Sequence, residues 1–251
     1  PMRKILVLAA AAVSAMSCSE PTVPARSLEV RLDANASGLN VAAVGPVVPG
    51  GFVNLMGAAN NSFPHASRNL RYQQVFLGSD VTAPVIIGLC MRRDEVAGGT
   101  ERVQTLSVKL GPTTRDHTTL GRVFDENYSA PPIEVFAGDI LVPAGVAGGT
   151  PTDFDLCIPF LAEYLHPAGS NLIVEVVNTS IAAANVPKDA CVRSQPECTT
   201  SRAYAFSPTA TTAFSVEGGG LVMRFLVPEP PAPTDPPAAQ GDSGRRCSRS
   251  G

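Results

Sequence analysis

The stretch DFDLCIPFLAEYLHPAGSNLIVEVVN, Asp153 to Asn178, decides the fold class. It holds two apolar runs, Phe154 to Phe160 and Leu172 to Val177, on either side of a segment carrying Pro167, Gly169, Ser170 and Asn171. Apolar runs of strand length around a turn-rich connection read as two strands, and the pair is expected at the centre of a β-sandwich. Phe154, Leu156, Ile158 and Phe160 share one face of the first strand. In the second, Leu172, Val174 and Val176 share one face, while Ile173 and Val177 flank Glu175 on the other. A strand apolar on both faces is covered on both, which is a central position and not an edge.

Outward from this pair the same period-two pattern recurs. RYQQVFL, Arg71 to Leu77, puts Tyr72, Gln74 and Phe76 on one face and Gln73 and Val75 on the other. PVIIGLCMRRD places Val85, Ile87, Leu89 and Met91 together, and RVQTLSVKLG alternates Leu106, Val108 and Leu110 against Ser107 and Lys109. IEVFAGDILVPAG reads as a strand bent at Gly138-Asp139, RAYAFS as a further strand, and Thr212 to Val227 as two last strands with a tight turn or bulge at Gly218 to Gly220. Val41 to Met56 predicts one or two short strands broken at Pro49-Gly50-Gly51, and the polar run from Gly111 to Pro132 a long loop. The expectation is an all-β, antiparallel sandwich of jelly-roll or concanavalin-like form with roughly nine to eleven strands.

Composition agrees. The chain has 251 residues, 16% of them charged, with 22 Gly and 23 Pro, a balance that suits strands and turns. The length predicts one domain, over 41–227. A net charge of -3 without a long basic run argues against nucleic acid as a partner.

The N-terminus predicts the compartment. Arg3 and Lys4 precede the apolar run Ile5 to Val13, and Ser14, Ala15 and Ser17 follow, the three regions of a secretory signal over 1–17. With Cys18 and the Pro-containing segment behind it, the arrangement resembles a bacterial lipoprotein signal. The resemblance implies that Cys18 carries the lipid and tethers the protein to a membrane through 18–40; cleavage after Ala15 or Ser17 is the alternative.

Export sets the other cysteines in an oxidising compartment. Cys191 and Cys198, in the polar segment KDACVRSQPECTT, are expected to bridge and staple a loop. Cys90 and Cys157 stand at equal phase in their runs, which permits either a bridge between neighbouring strands or two separately buried thiols. Cys247 is left over.

The RYQQVF, IIGLCMRRD and LSVKLGPT runs, with the DFDLCIPF…GSNLIVEVVN pair, resemble uncharacterised exported bacterial β-sandwich proteins of the kind that often carry a PEP-CTERM sorting signal. That resemblance implies fold and location, and brings no catalytic residue. Val227-Pro228-Glu229-Pro230 stands where the PEP motif would stand, but the apolar span of such a signal does not follow, and 228–251 reads as a Pro-rich disordered tail.

No catalytic motif emerges. There is no GxSxG elbow, His65, His117 and His166 all fall in predicted loops and are expected in water, and no Cys and His cluster suits zinc. Neither metal nor cofactor is expected. Asp125, Glu126, Glu134, Asp139, Asp153 and Asp155 supply carboxylates for a glycan hydrolase, but at predicted strand ends where charges solvate the rim. The reading is a non-catalytic envelope or surface protein with a structural or interaction role, its partners a membrane through Cys18 and glycans or envelope proteins. The alternative is a carbohydrate-binding module. For that role Tyr128 and Tyr164, placed in loops, are the candidate sugar platform, with Tyr72 and Tyr204 as strand residues packing at the sheet margin.

Overall fold

A computed structural model describes residues 43–230 apart from 97, 146, 147 and 150. The expected signal, Cys18 and its tether, Cys247 and the tail beyond Pro230 lie outside the described residues. Twelve strands lie among those described: β1 Ala43–Val48, β2 Ala59–Asn61, β3 Leu70–Phe76, β4 Val85–Met91, β5 Arg102–Thr113, β6 Ile133–Val142, β7 Leu156–Leu165, β8 Asn171–Asn178, β9 Lys188–Val192, β10 Ser201–Ala205, β11 Ser215–Leu221 and β12 Met223–Val227. They form a sheet of four in the order β1-β12-β4-β7 and a sheet of eight in the order β2-β9-β11-β10-β3-β8-β5-β6. Every strand pairing is antiparallel.

The main core lies between the sheets. Tyr72 and Phe76 of β3, Leu106, Val108 and Leu110 of β5, and Leu172, Val174 and Val176 of β8 face Ile86, Leu89 and Met91 of β4, Leu156 and Ile158 of β7, and Met223 and Phe225 of β12. Phe76 meets Phe225 edge-on across the layers, with ring centroids 6.1 Å apart. Each such fully buried aliphatic or aromatic side chain contributes about 2 kcal/mol. The alternation read in β5 is the alternation observed.

β8 is central, as its two apolar phases predict. It pairs with β3 over Leu172 to Asn178 and with β5 over Asn171 to Asn178. Its second face is also covered: Ile173 and Val75 pack against Leu120 and Phe124, which come from the segment 114–132 folded over the outer side of the sheet. That segment holds a single 3₁₀ turn, Phe124–Asn127.

The structure corrects the reading of Asp153 to Asn178 as one paired unit. β7 and β8 belong to opposite sheets, and β7 is an edge of the small sheet, paired only to β4. The physical reason is hydrogen-bond capacity. β8 already spends both edges on β3 and β5, and β7 is bound to β4, where Cys157 stands directly opposite Cys90 and bridges to it. The five residues between the strands form an arch from sheet to sheet instead of a hairpin.

Other boundaries move for equally local reasons. A register shift in β4 between Ile86 and Gly88 turns Ile86, not Ile87, to the core beside Leu89 and Met91. β5 runs on through Gly111-Pro112 to Thr113, with Pro112 opposite Leu172. β6 passes Gly138-Asp139 unbroken, and its irregularity lies instead near Val135, where the register with β5 shifts between Val108 and Lys109. Gly218 to Gly220 lie inside β11, where the partner changes from β10 at Gly218 to β9 at Gly219. Gly219 has φ 108°, and a Cβ there would stand 2.4 Å from the Cys191 carbonyl oxygen, so the crossover needs glycine.

Cys191 is a strand residue of β9, and its bridge to Cys198 is buried with Val47, Phe52 and Val222, with Phe154 packed against it. The polar segment KDACV is thus a strand and not a loop: its charged side chains find buried partners, described below. Two disulfides mark a chain that folds outside the reducing cytoplasm.

The two bridges close loops of very different length, with separations of 67 and 7 residues. In the chain-entropy account the first contributes about 4 kcal/mol and the second about 2 kcal/mol. Cys90→Ala/Cys157→Ala is therefore expected to lower the unfolding free energy by about twice as much as Cys191→Ala/Cys198→Ala, as measured by urea denaturation. The reverse order would show that burial of the second bridge outweighs loop length.

Candidate functional site

At one end of the large sheet four aromatic rings come together. Tyr204 is the penultimate residue of β10, and Phe206 follows it two positions later, just past the strand. Phe214 directly precedes β11, and its backbone N–H donates to the Tyr204 carbonyl oxygen at 2.8 Å, which closes the connection between the two strands. Phe63, from the segment between β2 and β3, completes the group. Centroid separations are 5.0 Å for Phe63 and Tyr204, 5.8 Å for Phe63 and Phe206, 5.6 Å for Tyr204 and Phe206, and 5.5 Å for Phe206 and Phe214. These are offset and edge-on contacts of the favourable kind. Phe206 is 53% and Phe214 67% exposed, so two rings of the cluster face solvent on a footing of buried Tyr204 and half-buried Phe63.

A polar rim adjoins the rings. Glu217 of β11 stands opposite Arg202 of β10 and accepts two hydrogen bonds from its guanidinium, at 3.0 and 2.6 Å. The Tyr204 hydroxyl donates to the other carboxylate oxygen at 2.7 Å. Partial burial alone would raise the Glu217 carboxyl, but the hydrogen bonds from Arg202 and Tyr204 outweigh it and hold the group below its ordinary value. It is an anion fixed at the edge of an aromatic patch.

The sequence-expected platform does not form. Tyr164 lies within β7, 2% exposed in the main core, where burial pushes its phenol up to about 12. Tyr128 follows the 3₁₀ turn on the outer face of the large sheet and lines a depression of about 320 Å³ with Asp125 and the run Ser129 to Pro132. Burial, then the charge of Glu175, raises its phenol. The two tyrosines thus belong to different faces, and neither shares a surface with the other. Tyr72 is wholly buried in the core, not at the margin, whereas Tyr204 is a strand residue as expected.

The carboxylates proposed for hydrolysis are dispersed. Asp125 binds Arg71 at 2.7 Å, Asp155 binds Arg93 at 3.0 Å, and Asp139 accepts from the Thr105 hydroxyl. No group of three or more His, Cys, Asp or Glu suited to a metal occurs among the described residues.

Two histidines depart from expectation. His65 is fully buried and His166 is 7% exposed, although both lie in loops. Burial, reinforced by Lys188, holds His65 well below the usual imidazole range, and burial does the same more weakly at His166. Nearby, β9 carries Lys188 and Asp189, both fully buried. Asp189 pairs with Arg92, itself buried, at 2.6 Å. Lys188 faces no carboxylate among the described residues; its amine donates to the Ser62 and Val186 carbonyls at 2.9 and 2.7 Å, and burial holds it well below the ordinary lysine value.

Phe63, Phe206 and Phe214 are not among the rings expected from sequence, because phenylalanine carries no polar group that would mark it as sugar-facing. The available clue was AYAF, where Phe206 repeats the phase of Tyr204. No known family, curated protein or solved structure matches the chain.

His65 titrates at about 6.5 when unfolded and lower when folded, so the unfolded chain binds more protons. Its contribution is complete above about pH 6.5 and is lost as pH falls toward the folded value. Asp189, raised by burial against the pull of Arg92, acts in the opposite sense. The comparison is therefore with His65→Phe. Between pH 7.5 and 5 the urea midpoint of the wild type is expected to fall further than that of the variant, and equal falls would refute the buried-imidazole account.

Proposed function

We propose that the chain is an exported, non-catalytic envelope or surface protein, anchored through a lipid on Cys18, that works by binding a partner at the aromatic end of its sandwich. The observation that carries this is the cluster of Phe63, Tyr204, Phe206 and Phe214, with two rings exposed on a covalently stapled scaffold. Exposed apolar residues scattered singly are ordinary, but a contiguous group of rings on a surface is a binding feature. The two disulfides fit a location outside the cytoplasm. No helix among the described residues is long and apolar enough to cross a membrane.

A second reading narrows the partner to a glycan. Rings stack on the apolar faces of sugars while neighbouring charged groups satisfy hydroxyls. Glu217, with 37% of its side chain exposed beside the rings, and Arg202 supply those groups. The paired strands β10 and β11 hold rings and carboxylate on one rigid base, which limits the entropy lost on binding.

A glycan-array screen of the purified protein tests the second reading. At least one polysaccharide should bind, and Phe206→Ala/Phe214→Ala should weaken it about tenfold or more, given about 1 kcal/mol for each ring lost. No glycan binding would reject the sugar reading. An envelope protein captured by the wild type and equally by the double variant would reject the aromatic surface itself.

The anchor is separately testable. Cys18→Ser should move the protein from the membrane to the soluble fraction; a wild-type protein already soluble would refute it.

A further inference from the structure

β2 is the outermost strand of the large sheet and only three residues long, held to β9 by the pairs Ala59 with Ala190, Asn60 with Asp189 and Asn61 with Lys188. An edge this short has little ladder to keep it in place. Its last pair is chemically unusual. Asn61 and Lys188 stand directly opposite each other, which puts their side chains on one face with Cβ atoms about 5 Å apart. They share that face with Ala59 and Ala190, and Ala190 belongs to the main core. Lys188 is fully buried and Asn61 is 9% exposed.

Three features meet there. The first is a nucleophile. The Lys188 amine donates to two carbonyls, Ser62 at 2.9 Å and Val186 at 2.7 Å, and to no carboxylate. A neutral amine has two N–H bonds for those two acceptors and a lone pair to spare. Ser62 is the residue directly after Asn61, so the amine is folded back against the strand that carries the amide. The second is an electrophile. The Asn61 Oδ1 accepts the Phe63 backbone N–H at 3.0 Å, which polarises the amide carbonyl and offers a donor to an oxyanion formed on it. The Asn61 Nδ2 is buried and without a partner. The third is a proton carrier. His65 is fully buried with both ring nitrogens unpartnered, and is near enough to Lys188 to be affected by its charge.

We propose that Lys188 and Asn61 join in an intramolecular isopeptide bond that fastens β2 to β9. The Lys188 Nζ lone pair attacks Asn61 Cγ, and the tetrahedral oxyanion is held by the Phe63 N–H. His65 takes a proton from the amine and returns it to Nδ2. The Cγ–Nδ2 bond breaks as Nζ–Cγ is completed, and ammonia leaves. No electron is transferred and no co-reactant is consumed. Burial favours each stage, since it keeps the amine neutral, excludes water that would hydrolyse the amide, and holds the reacting groups in register. The product is a third staple in the sandwich, at its weakest edge and insensitive to reductant.

Mass spectrometry of the full chain after reduction of its disulfides tests the bond. The expected result is a protein lighter by one ammonia than its processed sequence, whose proteolytic digest contains a branched peptide joining the segments of Asn61 and Lys188. Lys188→Met and Asn61→Ala should each restore the sequence mass expected for the variant. His65→Gln should leave a larger unlinked fraction. A wild-type chain at the full mass of its processed sequence overturns the proposal. So does an ammonia loss confined to a linear peptide around Asn61, which would be cyclisation of that asparagine on its own backbone, or a loss that persists in Lys188→Met.

Discussion

Glu175 stands in the middle of β8, with 1% of its side chain exposed, between Gln73 of β3 and Lys109 of β5, and the Arg71 guanidinium 2.9 Å from its Oε2 compensates its burial. The Gln73 amide donates to the same oxygen at 2.7 Å. A buried carboxylate stripped of its cation costs about 3–5 kcal/mol, a large share of the stability of a domain this size. Arg71 serves more than this one partner. It binds Asp125 at 2.7 Å, lies over the Phe124 ring at 4.6 Å, and donates to the Ala210 carbonyl at 2.9 Å. Burial alone would depress the guanidinium, but Glu175 and Asp125 outweigh it and raise the group. One cation of β3 therefore ties the central strand to the segment that covers its outer face, and to the connection between β10 and β11 that bears Phe206 and Phe214. The connection that bears the exposed rings is thus tied, through the Ala210 carbonyl, to a charge pair that reaches the middle of the sheet.

The small sheet is fastened by different means. Its β7 edge is joined to β4 through Cys90 and Cys157, and Arg92, just past β4, reaches across to Asp189 of β9 in the large sheet. Arg92 also donates to the carbonyls of Phe52 and Leu55 and lies 5.2 Å from the Phe154 ring, which in turn sits 4.2 Å under Arg224. A buried ion pair is costly to assemble and contributes modestly, so its value here is in fixing which segments meet. The Arg92–Asp189 pair thus links the two sheets and the Cys90–Cys157 bridge holds the small sheet together, while the aromatic end depends on ring packing, the Arg202–Glu217 pair and the Arg71 network.

Fold class and the central place of β8 were legible because they rest on side-chain alternation, a property of a few consecutive residues. Ile173 on the second face announced a covering layer, and Leu120 and Phe124 supply it. What was not legible depended on partners distant in sequence. HPAGS between β7 and β8 has the composition of a hairpin turn or of an arch, and only the demand of β8 for two other neighbours decides between them. The bulge that swaps Ile86 for Ile87 leaves no mark in VIIGL. KDACV reads as a loop because its charges call for water, whereas in the fold Arg92 and two backbone carbonyls receive them. The same assumption put His65 and His166 in solvent. For the site, residue type points to the tyrosines and AYAF marks Phe206, but which rings meet is set by the pairing of β10 with β11.

The order of the aromatic end also bears on what it can do. Phe206 and Phe214 are fixed from both sides, by the antiparallel pair β10 and β11 and by the Phe214 N–H on the Tyr204 carbonyl, so little conformational freedom remains to be lost when something binds. The rings are not coplanar: Phe206 and Phe214 are inclined at 58°. A wide flat crystalline surface would touch one ring well and the other poorly, whereas a chain that bends or twists can lie against both. At the rim the Glu217 carboxylate is matched by the Arg202 guanidinium, and Arg122 donates to the Phe214 carbonyl oxygen, so both signs of charge adjoin the rings. For the proposed partner, the inclination of the rings therefore favours a flexible chain that is apolar on one side.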